Sequence, residues 1–101
     1  MMQLKLTLSC PQFLADQVVE ALLDSEWAVD GFATVVAGGH GANFATASLL
    51  ERVRGRIQTT QIQLILPAAH VAPLLEALRG QFQGAQIRYW TEPVQDSGDF
   101  T

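Results

Sequence analysis

The first segment of the chain alternates apolar and polar positions. Between residues 3 and 8, every second side chain is a leucine, and this period of two predicts a strand with one buried face. The period then changes, and we expect Ser9 or Cys10 to cap a helix that has Pro11 in its first turn and runs to about Ser25. The predicted buried stripe of this helix consists of Leu14, Val18, Ala21 and Leu22.

Three further strands and a second helix are predicted from the same kind of pattern. Residues 29–37 are rich in β-branched side chains, residues 56–66 alternate apolar with polar positions, and residues 86–94 are the fourth predicted strand. Between the last two strands, apolar residues recur at helical spacing up to a glycine-containing end at residues 80–84. They are Val71, Leu74, Leu75, Leu78 and Phe82.

The two halves of the chain repeat one another. Each half places a strand, a proline near the start of a helix, and then an apolar pair followed by Glu-Ala-Leu, with Glu20 corresponding to Glu76. Two such units predict an α+β, ferredoxin-like split βαβ fold (βαββαβ), in which both helices cover one face of a four-stranded antiparallel sheet. We expect a single domain over residues 1–94 and a flexible tail over residues 95–101.

One face of this sheet has no helix on it. Its residues are mostly polar, but Ile65 and some of Val35, Val36, Tyr89 and Trp90 belong to it as well. A mixed face of this kind favours self-association through the sheet, and the alternative is a solvated face.

The composition narrows the function classes. A chain of 101 residues that is 49% hydrophobic can form a packed core, and its net charge of −4 argues against general nucleic-acid binding. The one cysteine permits no intrachain disulfide, and we expect neither a signal peptide nor a membrane-spanning helix. These features predict a cytoplasmic protein. No nucleophile and base stand in a catalytic arrangement, so we do not expect an enzyme.

The segment between the second and third strands carries most of the candidate chemistry. Its glycines suit either an anion-binding loop or a flexible turn, since no Walker pattern follows them. Arg52, Arg54 and Arg56 would share one face of an extended chain and are half of the six basic side chains. They indicate either a phosphate or carboxylate site or a charged strand edge that discourages aggregation.

His40 stands between two of these glycines. It is a candidate ligand for a divalent metal, but zinc needs about four ligands, and neither Cys10 nor His70 stands at ligand spacing from it. The alternatives are that His40 stacks on a bound molecule or lies in solvent.

These elements, with a long loop between strands two and three, resemble the PII-like superfamily, which the nitrogen-regulatory PII signal transducers typify. PII proteins carry Gly-Phe-Gly-Arg-Gln at the base of this loop, the T-loop, and the matching stretch here runs from Gly39 through His40 and Gly41 to Asn43. The resemblance covers about residues 2–94. It implies a T-loop at about residues 38–56 and a homotrimer whose sheets face the central axis.

The resemblance also implies a ligand. PII proteins bind adenine nucleotides between subunits, which assigns candidate ligand-binding roles to the T-loop base, the three arginines, Gln86 and Arg88. The usual basic residues differ, because Gln86 stands where the PII pattern has a lysine and no arginine follows strand four. A short PII-like subgroup with Gly-His-Gly and Val-Arg-Gly-Arg elements is more similar, and some of its members occur beside heavy-metal efflux systems.

The function implied is regulatory. A small-molecule effector at the subunit clefts would set the T-loop, and the T-loop would dock on a target such as a membrane transporter or efflux system. The alternatives are a metal-binding sensor or buffer associated with heavy-metal efflux, with His40 as a ligand, and a structural oligomer that scaffolds other proteins.

Overall fold

The structure is a computed structural model, which describes residues 2–28, 31–40 and 57–101. The elements are β1 (Gln3–Pro11), a 3₁₀ turn (Gln12–Leu14), α1 (Ala15–Leu23), β2 (Ala33–Gly39), β3 (Ile57–Pro67), α2 (Ala68–Phe82) and β4 (Arg88–Val94). The strands form one sheet in the order β2-β3-β1-β4, and every neighbouring pair is antiparallel. The predicted ferredoxin-like α+β fold is therefore confirmed.

The core lies between the sheet and the two helices. Alternate residues of β1 and β3 face the helices, and their register places Leu6 opposite Leu64 and Leu8 opposite Ile62. From the helices, the fully buried members are Val18, Leu22 and Leu74, with Val71 and Leu78 nearly so. Burying this apolar surface is the main favourable contribution to folding.

The predicted start of the first helix is wrong. Cys10 and Pro11 belong to β1, where they lie opposite Thr60 and Thr59 of β3, and no side chain caps the 3₁₀ turn or α1. The Cys10 thiol is buried and donates a hydrogen bond to the Thr60 carbonyl oxygen at 3.7 Å. Pairing with β3 thus extends the strand through residues whose local pattern favours a helix start.

The second strand is also shifted from its predicted position. It begins at Ala33, while Val29, the predicted start, lies outside the described residues. At its other end, Gly38 and Gly39 lie opposite Gln58 and Ile57, so both glycines are strand residues. Among the described residues, only Gly31 and Gly84 have a positive φ. Pairing with β3, rather than the β-branched run, therefore sets the limits of β2.

The register settles which exposed apolar side chains lie on the face without helices, which we call the open face. Val35 and Trp90 lie on it together with Ile65, and all three are exposed. Val36 and Tyr89 are also exposed but lie on the side of the helices.

Thr7 is buried although it lies on the open face. It lies on β1 between Trp90 of β4 and Gln63 of β3, and its side chain is 1% exposed. Its Oγ1 atom has no hydrogen-bond partner among the residues that the structure describes. A buried, unpaired hydroxyl costs stability.

The residues after β4 make contact with the start of β1. The Ser97 hydroxyl donates a hydrogen bond to the Gln3 side-chain oxygen at 2.7 Å. The flexibility expected for residues 95–101 stays a prediction. Neither described helix is long and apolar enough to cross a membrane.

Candidate functional site

A cleft of about 500 Å³ lies at one end of the sheet. Because the strands are antiparallel, the last residues of β1 and β2 lie beside the first residues of β3 and β4 at this end. We call it the sheet-end cleft. It is lined by Ser9, Cys10, Pro11, Ala37, Gly38, Gly39, His40, Thr59, Gln61, Ala85, Gln86, Ile87, Arg88 and Trp90.

One wall of the sheet-end cleft is the short loop between α2 and β4. Gln83 has φ −57° and ψ 130° and Gly84 has φ +82°, which are the angles of a type II turn with glycine at its third position. The Ala85 amide donates to the Phe82 carbonyl at 2.9 Å and closes this turn. The Ile87 amide then donates to the Ala85 carbonyl at 2.9 Å. The type II turn and the hydrogen bond between Ile87 and Ala85 together bring Gln86 to the rim of the cleft.

The opposite wall is the end of β2. The Thr59 hydroxyl donates a hydrogen bond to the Ala37 carbonyl at 3.0 Å, which ties β2 to β3 beside the cleft. Gly38 and Gly39 follow in the same strand, and His40 comes directly after it with an exposed side chain. The two glycines have no side chains, so this wall does not obstruct the opening of the cleft.

Four of the sequence-predicted site residues meet at the sheet-end cleft. Gly39 and His40 come from one edge strand, and Gln86 and Arg88 come from the loop and strand at the other edge. The remaining predicted residues lie outside the described part of the chain: Gly41, Asn43, Arg52, Arg54 and Arg56.

The charge of the sheet-end cleft differs from that of the whole chain. The chain has a net charge of −4, yet the described lining residues include no carboxylate, and Arg88 contributes a positive charge. Arg88 lies opposite Ser9, so its side chain and the serine are on the open face. An arginine without an adjacent carboxylate favours an anionic ligand such as a phosphate or a carboxylate.

The lining residues that were not predicted as site members include Ser9, Thr59 and Trp90. Trp90 is two residues after Arg88 in β4, so both side chains lie on the same face. Its ring is 38% exposed, and an exposed aromatic face beside an arginine can stack on a planar ligand. The period of two in β4 could have identified Trp90, whereas Ser9 and Thr59 required the register.

Two residues that line the sheet-end cleft, Cys10 and His40, are candidates for nucleophilic or metal chemistry. Burial raises the pKa of the Cys10 thiol above its usual value, so Cys10 stays protonated at neutral pH and is a poor nucleophile or metal ligand in that form. Across residues 2–28, 31–40 and 57–101, no group of three His, Cys, Asp or Glu side chains could hold a metal ion. A metal role for His40 stays a prediction.

A protein-family model described as "Protein of unknown function (DUF3240)" matches residues 1–101. The chain belongs to the DUF3240 family. Among solved structures, it is similar to a DUF3240 family protein from Shewanella baltica, with 23% identity, a TM-score of 0.79, and 100% of this chain and 99% of that chain covered. No curated protein matches the sequence.

This DUF3240 chain is also similar to PII-like proteins. One is CPII, a nitrogen regulatory PII-like protein from Thiomonas intermedia whose structure holds ADP, AMP and bicarbonate. The identity is 18% and the TM-score 0.72, with 98% of this chain and 97% of CPII covered. A second, from Thermus thermophilus, is described as PII-like and signalling, with 17% identity, a TM-score of 0.64, and 92% of this chain and 86% of that chain covered. The resemblance to the PII-like superfamily is thus confirmed at the level of the fold.

Proposed function

We propose that this DUF3240 protein is a regulatory protein, and not an enzyme, that binds an anionic effector in the sheet-end cleft. The effector class is an adenine nucleotide, alone or together with bicarbonate. The observation that carries the proposal is the position of Arg88 and His40 at a cleft whose described lining has no carboxylate. The nucleotide and bicarbonate bound to CPII, a protein of the same fold, support the choice of effector.

The lining residues divide into two chemical roles. The Arg88 guanidinium would bind a phosphate or carboxylate group, because its planar donors match two oxygens of either group. The Trp90 ring would stack on the adenine, an interaction worth roughly 1–3 kcal/mol per base in nucleic-acid-binding proteins. Gln86 would donate a neutral hydrogen bond in place of the lysine that the PII pattern has there.

The proposal includes a homotrimer formed through the open face. This face presents Val35, Ile65 and Trp90 in the exposed state, and apolar side chains on an otherwise polar sheet favour association. Because the sheet-end cleft is at the end of this face, a second copy would form part of its wall. The complete binding site, with walls from two copies, would then exist only in the assembled trimer.

The output of the proposed regulator is the T-loop. The T-loop, predicted at about residues 38–56 of a single domain over residues 1–94, would begin after Gly39, where β2 ends. A bound effector would change which target it contacts. A membrane transporter or efflux system is the target class that the resemblance favours, which agrees with a cytoplasmic location for the regulator. Effector binding and target binding would be linked through the residues at the base of the loop, Gly39 and His40.

Calorimetric titration tests the effector. We expect ADP or AMP to bind the wild-type protein, and Arg88→Gln to weaken that binding about tenfold, since a charge-assisted hydrogen bond contributes about 1.5–3 kcal/mol. Arg79→Gln is the matched control, because Arg79 is also exposed but does not line the sheet-end cleft. The nucleotide proposal would be wrong if no heat of binding is measured with ADP, AMP, ATP and bicarbonate, added singly and in pairs.

A further inference from the structure

A second cleft lies on the side of the sheet that carries the helices. It has a volume of about 480 Å³ and is bounded by the C-terminal half of α2, the loop after it and the start of β4. Its floor is apolar, because the buried side chains of Leu8, Val18 and Leu78 line it. We call it the helix-side cleft. Its volume is within the range of small-molecule sites, roughly 300–1,000 Å³.

A polar pair lies at the mouth of the helix-side cleft. The Arg79 guanidinium donates a hydrogen bond to the Tyr89 hydroxyl at 3.4 Å, and its Cζ atom is 5.9 Å from the centre of the tyrosine ring. Both side chains are exposed. Glu76 also lines the cleft, but Arg79 forms no salt bridge with it or with any other residue that the structure describes.

This geometry suits one class of ligand. The hydroxyl of Tyr89 accepts the hydrogen bond from Arg79, so its own hydrogen is available for an oxygen atom of a ligand. The guanidinium has further N–H donors and a full positive charge beside the same point. An anionic group would therefore meet two donors at the mouth, while an apolar body attached to it would rest on the leucine and valine floor.

We propose that the helix-side cleft is a ligand site for a small molecule with an apolar body and one anionic group, such as an aromatic carboxylate. The proposal does not rest on the function proposed for the sheet-end cleft, whose charged residue is Arg88. The two clefts share a wall, because Ala85 and Ile87 line both of them. A ligand in the helix-side cleft would thus contact the loop that also forms the sheet-end cleft.

Two fluorescent probes test the site with and without the anionic group. The first is 8-anilinonaphthalene-1-sulfonate, and the second is N-phenyl-1-naphthylamine, which has the same ring system but no sulfonate. We expect saturable binding of both to the wild-type protein. Arg79→Gln should weaken binding of the sulfonate about tenfold and leave the uncharged probe unchanged. Lys5→Gln is the matched control, because Lys5 is also basic but lines neither cleft, and it should change neither affinity.

A second variant blocks the apolar part of the cleft. Gly80 lines the helix-side cleft, and a Cβ atom placed there meets nothing within 4 Å, so the backbone accepts a side chain at this position and the longer leucine of Gly80→Leu should narrow the opening. It should weaken binding of both probes while unfolding remains cooperative. The proposal is overturned if Gly80→Leu leaves both affinities unchanged, or if Lys5→Gln weakens binding of the sulfonate as much as Arg79→Gln does.

Discussion

At the residue scale, Thr7 offers a direct test of a buried unpaired group. Thr7→Val replaces the hydroxyl by a methyl group of similar volume, so it removes an unsatisfied polar atom without leaving a cavity. We expect the free energy of unfolding to rise by about 1 kcal/mol, measured by urea denaturation. Valine also suits a central strand.

Thr59→Val is the matched control for Thr7→Val. Thr59 lies on the same face of the sheet, but its hydroxyl donates a hydrogen bond to the Ala37 carbonyl at 3.0 Å. Its replacement should therefore lower the free energy of unfolding by about 1 kcal/mol. A Thr7→Val protein that is less stable than the wild type would contradict the absence of a partner for the Thr7 hydroxyl.

Because of Cys10, the free energy of unfolding depends on pH in the alkaline range. Burial raises the pKa of its thiol above the ordinary value of 9.0, so above that pH the unfolded chain binds fewer protons than the folded chain. The contribution of the neutral thiol is complete below pH 9 and is lost as pH rises through the folded pKa. The free energy of unfolding should fall by up to about 1.4 kcal/mol per pH unit in that window.

Cys10→Ala removes this titration, although the smaller side chain lowers stability at every pH. Urea denaturation at a series of pH values from neutral into the alkaline range should give a steeper alkaline decline for the wild-type protein than for the variant. Parallel profiles for the two proteins would mean that ionisation of the thiol is not coupled to folding.

At the scale of elements, the loop between α2 and β4 depends on one backbone conformation. Gly84 has φ +82°, which other residues adopt at a cost, whereas Gly80 lies within the helix. A Cβ atom at either position meets nothing within 4 Å, so alanine substitutions compare backbone conformation alone. We expect Gly84→Ala to lower the free energy of unfolding by about 1 kcal/mol and Gly80→Ala to raise it by up to about 1 kcal/mol.

Thermal denaturation of the two alanine variants measures this difference. Because the loop lines both clefts, Gly84→Ala should also weaken ligand binding at the sheet-end cleft, whereas Gly80→Ala should not. Equal stability of the two variants would contradict the assignment of a type II turn at residues 82–85.

Local sequence patterns predicted those helices and strands whose structure depends mainly on the spacing of apolar side chains. The period of two in β1 and β3 and the apolar stripe of α1 and α2 required no knowledge of neighbours. The junction after β1 was predicted wrongly because it depends on pairing between residues 50 positions apart, Cys10 and Thr60. A local pattern cannot contain that information.

The candidate site was predictable only in part. The glycine-rich motif and the loop before β4 pointed to Gly39, His40, Gln86 and Arg88, which the fold brings to one cleft. Trp90 could have been predicted from its spacing to Arg88, whereas Ser9 and Thr59 reach the cleft only through strand pairing. The helix-side cleft arises from the packing of α2 against β4, which no motif in either element indicates.

At the scale of the whole molecule, variants of two adjacent residues in β2 can test association between copies separately from folding. Val35 lies on the open face and Val36 on the opposite face, and both are exposed. If copies associate through the open face, Val35→Glu should give a monomer because it buries a charge in the interface. Val36→Glu should leave the trimer intact, and sedimentation velocity measures both masses. Equal masses for the two variants would count against this interface.

An NMR titration with ADP tests the claim that the sheet-end cleft binds an anionic effector. ADP is added to ¹⁵N-labelled protein, and the shifts of backbone amides and tryptophan side chains are followed. We predict the largest changes at residues 38–40, at residues 86–88 and at the indole N–H of Trp90. Saturating ADP that leaves these signals unchanged, or that shifts the residues around Arg79 and Tyr89 instead, would contradict the claim.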